Sequence, residues 1–310
     1  MKLRIVLFAL TGMMIILLSC QKEDDSDLIA MEDRIFNAFL ESKDITTEPT
    51  ESGLYFISEE EGTGISPEEG DWALINYDLY LVDGEQLIFT TDKDKAIGKN
   101  VYDSRVIYGN SKIQIGSNLE GLDEGLTMMK EGGTAELLFQ SDLGYGKNGA
   151  GVIGPYNSLL VKVELIEVIK DPVMYEEEKI AKYLSESDMI ISDTLESGLI
   201  YVEMNEGTGD SAMRDYKVGV NIEGYLLDGR MFMDEEVFQF QLGKLDYAVT
   251  QGLTEGVSYM KVGGKARLIV PYYLGYGEMG KSYYEGVAKV PIPPYTTLIY
   301  DVELLNTKIY

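Results

Sequence analysis

The chain repeats one set of landmarks in one order, and this duplication restricts the fold more than any other feature. Glu51-Ser52-Gly53-Leu54 recurs as Glu196-Ser197-Gly198-Leu199, and Glu61-Gly62-Thr63-Gly64 as Glu206-Gly207-Thr208-Gly209. Glu124-Gly125-Leu126, Met129-Lys130 and Gly132-Gly133 return as Glu255-Gly256-Val257, Met260-Lys261 and Gly263-Gly264. Leu143-Gly144-Tyr145-Gly146 matches Leu274-Gly275-Tyr276-Gly277, and Val163-Glu164-Leu165 matches Val302-Glu303-Leu304. A unit this long buries its own core, so the pattern means two copies of a domain and not a solenoid of short repeats. The length of 310 residues suits two domains.

Composition removes whole classes of chemistry. There is no histidine, hence no histidine-ligated zinc, Ser-His-Asp triad or Cys-His dyad. The formal charge of −27 argues against nucleic acid as a partner, since phosphate binding rests on Lys and Arg; an acidic surface favours solubility.

The one cysteine, Cys20, ends an apolar run from Ile5 to Leu18 that follows a basic Met1-Lys2-Leu3-Arg4 start. That run is too short for a membrane span and fits a signal peptide over residues 1–19. Leu17-Leu18-Ser19-Cys20 resembles the bacterial lipobox, which implies lipidation at Cys20; the alternative is an ordinary secretory signal with an incidental cysteine. Gln21-Lys22-Glu23-Asp24-Asp25 reads as a solvated tether. It also resembles the acidic signal that sends Bacteroidota lipoproteins to the outer face of the outer membrane.

Leu28, Met31, Ile35 and Phe39 fall at helical spacing, with Ser26 or Asp27 as N-cap, and residues 20–45 are expected to be tether plus helix, extended from Gln21 to Asp27. A second helix is expected within 171–189, with Ile180, Tyr183 and Leu184 on one face and Asp171-Pro172 at its start. Domain one then spans 46–170 and domain two 190–310. Phe238, Phe240 and Leu242 alternate, as do Leu298, Tyr300, Val302 and Leu304, which signals half-buried strands. Leu253, Val257 and Met260 step like one short helix, as do Leu122, Leu126 and Met129. Strands around one short helix indicate α+β architecture. Between Phe89 and Ile113 the first unit carries an extra loop with Asp92, Asp94 and Asp103; Ile97 occupies the place where a calcium loop needs glycine, so a solvated loop is expected. The second unit has its own insertion, Lys281 to Val290.

Glu223-Gly224-Tyr225-Leu226-Leu227-Asp228-Gly229, Phe238-Gln239-Phe240, Gly252-Leu253-Thr254-Glu255-Gly256, Leu274-Gly275-Tyr276-Gly277, Ile292-Pro293-Pro294 and Tyr300-Asp301-Val302-Glu303-Leu304 follow one another in the second unit. This succession resembles the FK506-binding-protein family of peptidyl-prolyl cis-trans isomerases. The first unit is similar more loosely, through Tyr77, Asp83-Gly84, Gly121-Leu122, Met129-Lys130, Tyr145-Gly146 and Val163-Glu164-Leu165. The resemblance implies two domains, each a twisted antiparallel half-barrel wrapped on a short helix and preceded by a further helix. It implies prolyl polypeptide clients and no cofactor or metal.

By the same resemblance, the second pocket would comprise Ile222, Phe232, Phe238, Val249, Thr250, Leu253, Tyr276, Ile292 and Tyr300. Of these, Tyr276, Phe232, Phe238, Ile292 and Tyr300 would carry catalysis, the Tyr276 hydroxyl donating to a substrate carbonyl. The first-unit counterparts are Tyr77, Phe89, Leu119, Leu122, Tyr145, Val152, Ile153 and Val161. Taken singly, each of these residues reads as plain core, and only their joint match to the family lifts them. Met233 and Thr90 stand where the family carries an aspartate, and Leu253 and Leu122 replace its tryptophan. In the first unit Ile153-Gly154-Pro155 replaces Ile-Pro-Pro and Val161 replaces the aromatic kept as Tyr300. The resemblance therefore points to the second unit as the better enzyme, with a catalytically weak binding module or an accessory subunit of an outer-membrane surface complex as the alternative. Tyr272, Tyr273, Tyr283, Tyr284 and Tyr295 form a tyrosine-rich rim suited to recognition. Asp193-Thr194-Leu195 and Asp210-Ser211-Ala212 resemble the O-glycosylation pattern of extracytoplasmic Bacteroidota proteins, with Thr194 and Ser211 as acceptors.

Overall fold

A computed structural model of the protein describes residues 25–187, 189–246, 248–283 and 289–308. The expected signal peptide, Cys20, Glu23, Asp24 and Tyr284 lie outside the described residues, as does the side chain of Tyr283.

Helix α1 (Asp25–Ser42) precedes the first sheet. Its start differs from the expected spacer, because Asp25 and Asp27 already occupy the first turn, where their charge favours the N-terminal end of the helix dipole. The buried stripe also differs: Phe36, Phe39 and the carboxylate of Glu32 face inward, while Met31 is exposed. Glu32 is buried because three donors meet it, the Ser141 amide at 2.7 Å and the Ser141 and Ser158 hydroxyls at 2.8 Å each. A buried carboxylate so satisfied is tolerable, and helical periodicity alone counts it as polar.

The first domain runs β1 (Tyr55–Glu60), β2 (Trp72–Leu81), β3 (Gln86–Thr90), α2 (Lys93–Gly98), β4 (Ser111–Gln114), α3 (Glu120–Met128), β5 (Gly133–Phe139) and β6 (Leu159–Ile169). Its antiparallel sheet has the order β1-β5-β6-β2-β3, with β4 also on β2. After α4 (Pro172–Glu186), the second domain runs β7 (Asp193–Thr194), β8 (Ile200–Asn205), β9 (Lys217–Leu226), β10 (Met231–Gln241), α5 (Gln251–Ser258), β11 (Lys265–Val270), β12 (Lys281–Tyr283), β13 (Lys289–Ile292) and β14 (Leu298–Lys308). Its sheet has the order β10-β9-β14-β11-β8-β7, the same path with one added edge strand. The flanks of the second insertion, β12 and β13, form a separate hairpin.

Each sheet buries both faces. In the second, Leu298, Tyr300, Val302 and Leu304 of β14 point toward α5, while Ile299 points the other way with Ile200 and Ile269. Ile180, Tyr183 and Leu184 of α4 cover that outer patch. In the first, α1 does the same over Leu138 and Leu160. The short inner helices lie almost on the strands beneath them. A Cβ on Gly121 or Gly125 would come within 2.6 Å of Phe139 or 2.4 Å of Leu137, and one on Gly252 or Gly256 within 2.4 Å of Val270 or Leu268. Glycines four apart thus set the helix-to-sheet distance in both copies. The helices end before Met129 and Met260, which are nevertheless buried.

Many repeated landmarks turn out to be joints of the scaffold. Ser52 and Ser197 hydrogen-bond Glu124 and Glu255, and Lys130 and Lys261 pair with Glu61 and Glu206 at 2.6 and 2.7 Å. The two ion pairs are exposed and contribute little each, but all four contacts sit at matching places in both copies.

The extra loop of the first domain is not simply solvated, as composition suggests. It leaves the sheet in the middle of one strand: β3 pairs with Asp78–Leu81 of β2 and β4 with Trp72–Ile75, together filling the place that β10 fills alone. Asp92 caps α2 by accepting from the Lys95 amide at 3.0 Å, and Asp103 pairs with Arg105 at 2.9 Å. The far end of the loop reaches the second domain, where Ile107 packs on its core.

Candidate active site

In the second domain, the residues singled out in the sequence converge on one apolar cluster. Ile222 on β9, Val249 before α5, Leu253 within it, Ile292 ending β13 and Tyr300 on β14 are buried together. Phe232 and Phe238 of β10 and Tyr276 are partly buried against them. Phe240 and Leu242, also in this cluster, are core residues the sequence reading did not place at the site. Thr250 is buried and caps α5, accepting from the Leu253 amide at 3.3 Å, so its side chain is occupied by the helix.

Local structure explains these positions. The β10–β9 pairing slips between Met231 and Met233 and again between Glu235 and Phe238. Such bulges re-aim side chains, and they place both phenylalanines toward the cluster. Gly224 makes room for the first: a Cβ there would stand 2.7 Å from the Phe232 ring. Phe232 then meets Tyr300 edge-on, with ring centroids 5.6 Å apart at 79°. Tyr276 lies between two 3₁₀ turns, Tyr272–Leu274 and Gly277–Met279, which present its ring at the cluster margin.

The polar features are few. The Lys281 ammonium stands 3.1 Å from the Tyr276 hydroxyl and 4.9 Å from its ring centre. Burial pulls the Lys281 ammonium below the ordinary lysine range, with Asp246 acting in the opposite direction. The sequence marks Lys281 only as the start of an insertion; its signal there is a cation five residues after the pocket tyrosine. The Tyr300 hydroxyl is wholly buried and, among the described residues, has no hydrogen-bond partner. Burial pushes it well above the ordinary phenol range. The Thr250 and Tyr276 hydroxyls lie near enough to influence it, yet neither meets it in hydrogen-bonding geometry.

The first domain gathers Tyr77, Phe89, Leu119, Leu122, Tyr145, Ile153 and Val161 in the corresponding cluster. Val152 does not join them, being 76% exposed on the turn before Ile153. Its aromatic surface is distributed differently. Leu79 faces Val161 where Gly224 faces Tyr300, and Phe89 packs on Tyr77 at 5.2 Å instead of reaching across. Burial raises the hydroxyls of both Tyr77 and Tyr145.

Among the remaining candidates, Thr194 lies exposed on β7 and Ser211 exposed beside Lys261. Tyr295 of the tyrosine rim is enclosed between Trp72 at 5.5 Å and Tyr272 at 5.1 Å. A cleft of about 340 Å³ lies at the domain junction, with Lys112, Glu176, Arg230 and Leu226 of the second core among its lining.

The sequence profile of the FKBP-type peptidyl-prolyl cis-trans isomerases matches residues 64–166 and again 209–305. The chain belongs to that family. The FKBP-type isomerase FkpA of Escherichia coli is 38% identical over 120 residues, 37% of this chain and 40% of that protein. An FK506-binding protein of Neisseria meningitidis is 38% identical over 112 residues, 35% of this chain and 95% of its own length. The crystal structure of FkpA from Escherichia coli is similar over 44% of this chain and 61% of that one, at 33% identity and a TM-score of 0.36. The matched region thus spans less than two thirds of FkpA, 40% of it in sequence and 61% of its crystal structure.

Proposed function

We propose that this FKBP family member is a peptidyl-prolyl isomerase acting on extracytoplasmic polypeptides, with activity mainly in the second domain. The observation that carries this reading is the convergence of Phe232, Phe238, Ile292 and Tyr300 beside the Tyr276 hydroxyl. The X-Pro bond resists rotation by about 18–20 kcal/mol because of amide resonance. Twisting the bond removes the resonance and its charge separation. An apolar pocket therefore favours the twisted amide over the planar one, which stabilises the transition state differentially. No nucleophile or general base is needed, in keeping with a chain without histidine. Tyr276 would donate its hydroxyl proton to a substrate carbonyl, and Lys281 would hold that hydroxyl in place.

The first domain would bind prolyl segments weakly, since Val161 offers less aromatic surface than Tyr300. Lipidation at Cys20 would anchor the protein at the outer membrane, with the acidic run after it directing it to the cell surface. Thr194 and Ser211 are exposed, as acceptors of glycan would need to be.

Cis-trans exchange of a short phenylalanyl-prolyl peptide, followed by NMR on the full mature chain, tests the assignment. Phe238→Ala should abolish most of the exchange, and Tyr276→Phe should lower kcat/KM by up to about tenfold, the worth of one hydrogen bond. Tyr145→Phe in the first domain should change it little. Equal proportional losses of activity and stability in Tyr276→Phe would make that tyrosine structural. A larger effect from the first domain would reverse the ranking.

A further inference from the structure

The first domain reaches the loop that closes the second domain's cluster. Lys112 on β4 and Glu176 on α4 form an ion pair at 2.7 Å, with both side chains less than a tenth exposed. Both continue into the segment between Ile292 and Tyr300. The Lys112 ammonium donates to the Tyr295 carbonyl at 2.7 Å, and the second Glu176 oxygen accepts from the Thr297 amide at 3.0 Å. Trp72 on β2 meets the Tyr295 ring edge-on at 76°.

That segment is held within its own domain in part, by the Thr296 hydroxyl on the Pro294 carbonyl at 3.2 Å and by the Tyr295 ring against Tyr272 at 5.1 Å. Pro293 and Pro294 have no amide hydrogen to donate. Its Tyr295 amide bonds the Gly277 carbonyl at 3.0 Å, within the second domain, and among the described residues the Thr297 amide is satisfied by Glu176 of the linker helix. At the domain-junction cleft, Arg230 in the β9–β10 turn donates to the carbonyls of Tyr108 and Asn110 at 3.4 and 3.1 Å. The first domain therefore contacts both this segment and the β9–β10 turn of the second domain.

A buried ion pair is a weak source of net stability, because desolvation opposes it. Here burial outweighs the attraction of Glu176 and lowers the Lys112 ammonium's pKa. What such a pair supplies is a fixed geometry.

We propose that Lys112, Glu176 and Trp72 are positioning residues for the second domain's prolyl pocket, holding the Ile292–Thr297 loop closed from outside that domain. This rests on reading the second domain as the prolyl site. It gives the first domain a role that does not depend on its own pocket.

The full mature chain allows the test. Lys112→Met alone leaves a buried, unpaired carboxylate and could undock the domains outright, so Lys112→Met/Glu176→Leu is made as well; it removes both charges and keeps the volume. Hydrogen exchange should accelerate at least about tenfold in residues 292–297 while α5 and β14 keep their protection. KM for the phenylalanyl-prolyl peptide should rise about fivefold with kcat within about twofold. Trp72→Leu should shift both readouts in the same direction. Unchanged loop exchange overturns the proposal, and so does a loosened loop with unchanged KM. If the unmodified chain and Phe238→Ala are equally inactive, the isomerase reading fails, and the exchange measurement alone decides whether the loop is held from outside.

Discussion

Gly224 faces Tyr300 across β9 and β14, and the missing side chain is what lets Phe232 lie over the strand and meet the tyrosine edge. In the first domain Leu79 and Val161 take these two places. One pair of positions therefore decides where each copy puts its aromatic surface.

Gly224→Ala should displace Phe232, because the new methyl would stand 2.7 Å from its ring. Overpacking of this kind costs about 1–3 kcal/mol. The expected outcome is a lower denaturation midpoint together with a larger proportional loss of kcat/KM. Unchanged peptide turnover would show that Phe232 is not part of the working pocket.

Tyr300→Phe should stabilise the protein. The buried hydroxyl lacks a partner among the described residues, and removing such a group relieves a penalty of about 1–3 kcal/mol. Urea denaturation provides the measurement; a loss of stability instead would mean that the hydroxyl is satisfied in solution.

Lys281 makes stability depend on pH in a defined direction. Its ammonium is pulled below the ordinary lysine value of 10.5 by burial. Between the lowered folded value and 10.5, the unfolded chain binds more protons than the folded one, so stability rises with pH through that window. Below the folded value the penalty is present in full. The stability of the unmodified chain relative to Lys281→Met should therefore increase as pH is raised toward 10.5. A flat difference would place the ammonium in free solvent.

On the proposed lipid anchor at Cys20, Cys20→Ser should release soluble protein from membranes, since lipid chains contribute about 0.8 kcal/mol per buried CH₂. Glu23, Asp24 and Asp25 changed together to alanine should leave the protein lipidated but shielded from external protease. Continued cleavage on intact cells would remove the export role of the acidic run and leave only the anchor.

The sequence was sufficient for the duplicated α+β plan and for most of the apolar cluster. Phe238 and Phe240, and Leu298 through Leu304, alternate along strands, and the same side chains that encode the period fill the core. Burial of apolar surface is written locally, so a reader of the chain can find it. Tertiary structure alone decided what the polar residues do. Glu32, Lys112 and Glu176 look like solvated charges in the sequence, yet each is buried because partners more than 60 residues away satisfy it. The extra loop looked solvated for the same reason, until Ile107 and the Tyr108 and Asn110 carbonyls met the second domain. A hydrogen bond or ion pair depends on where its partner arrives in space, and no periodicity along one strand or helix records that.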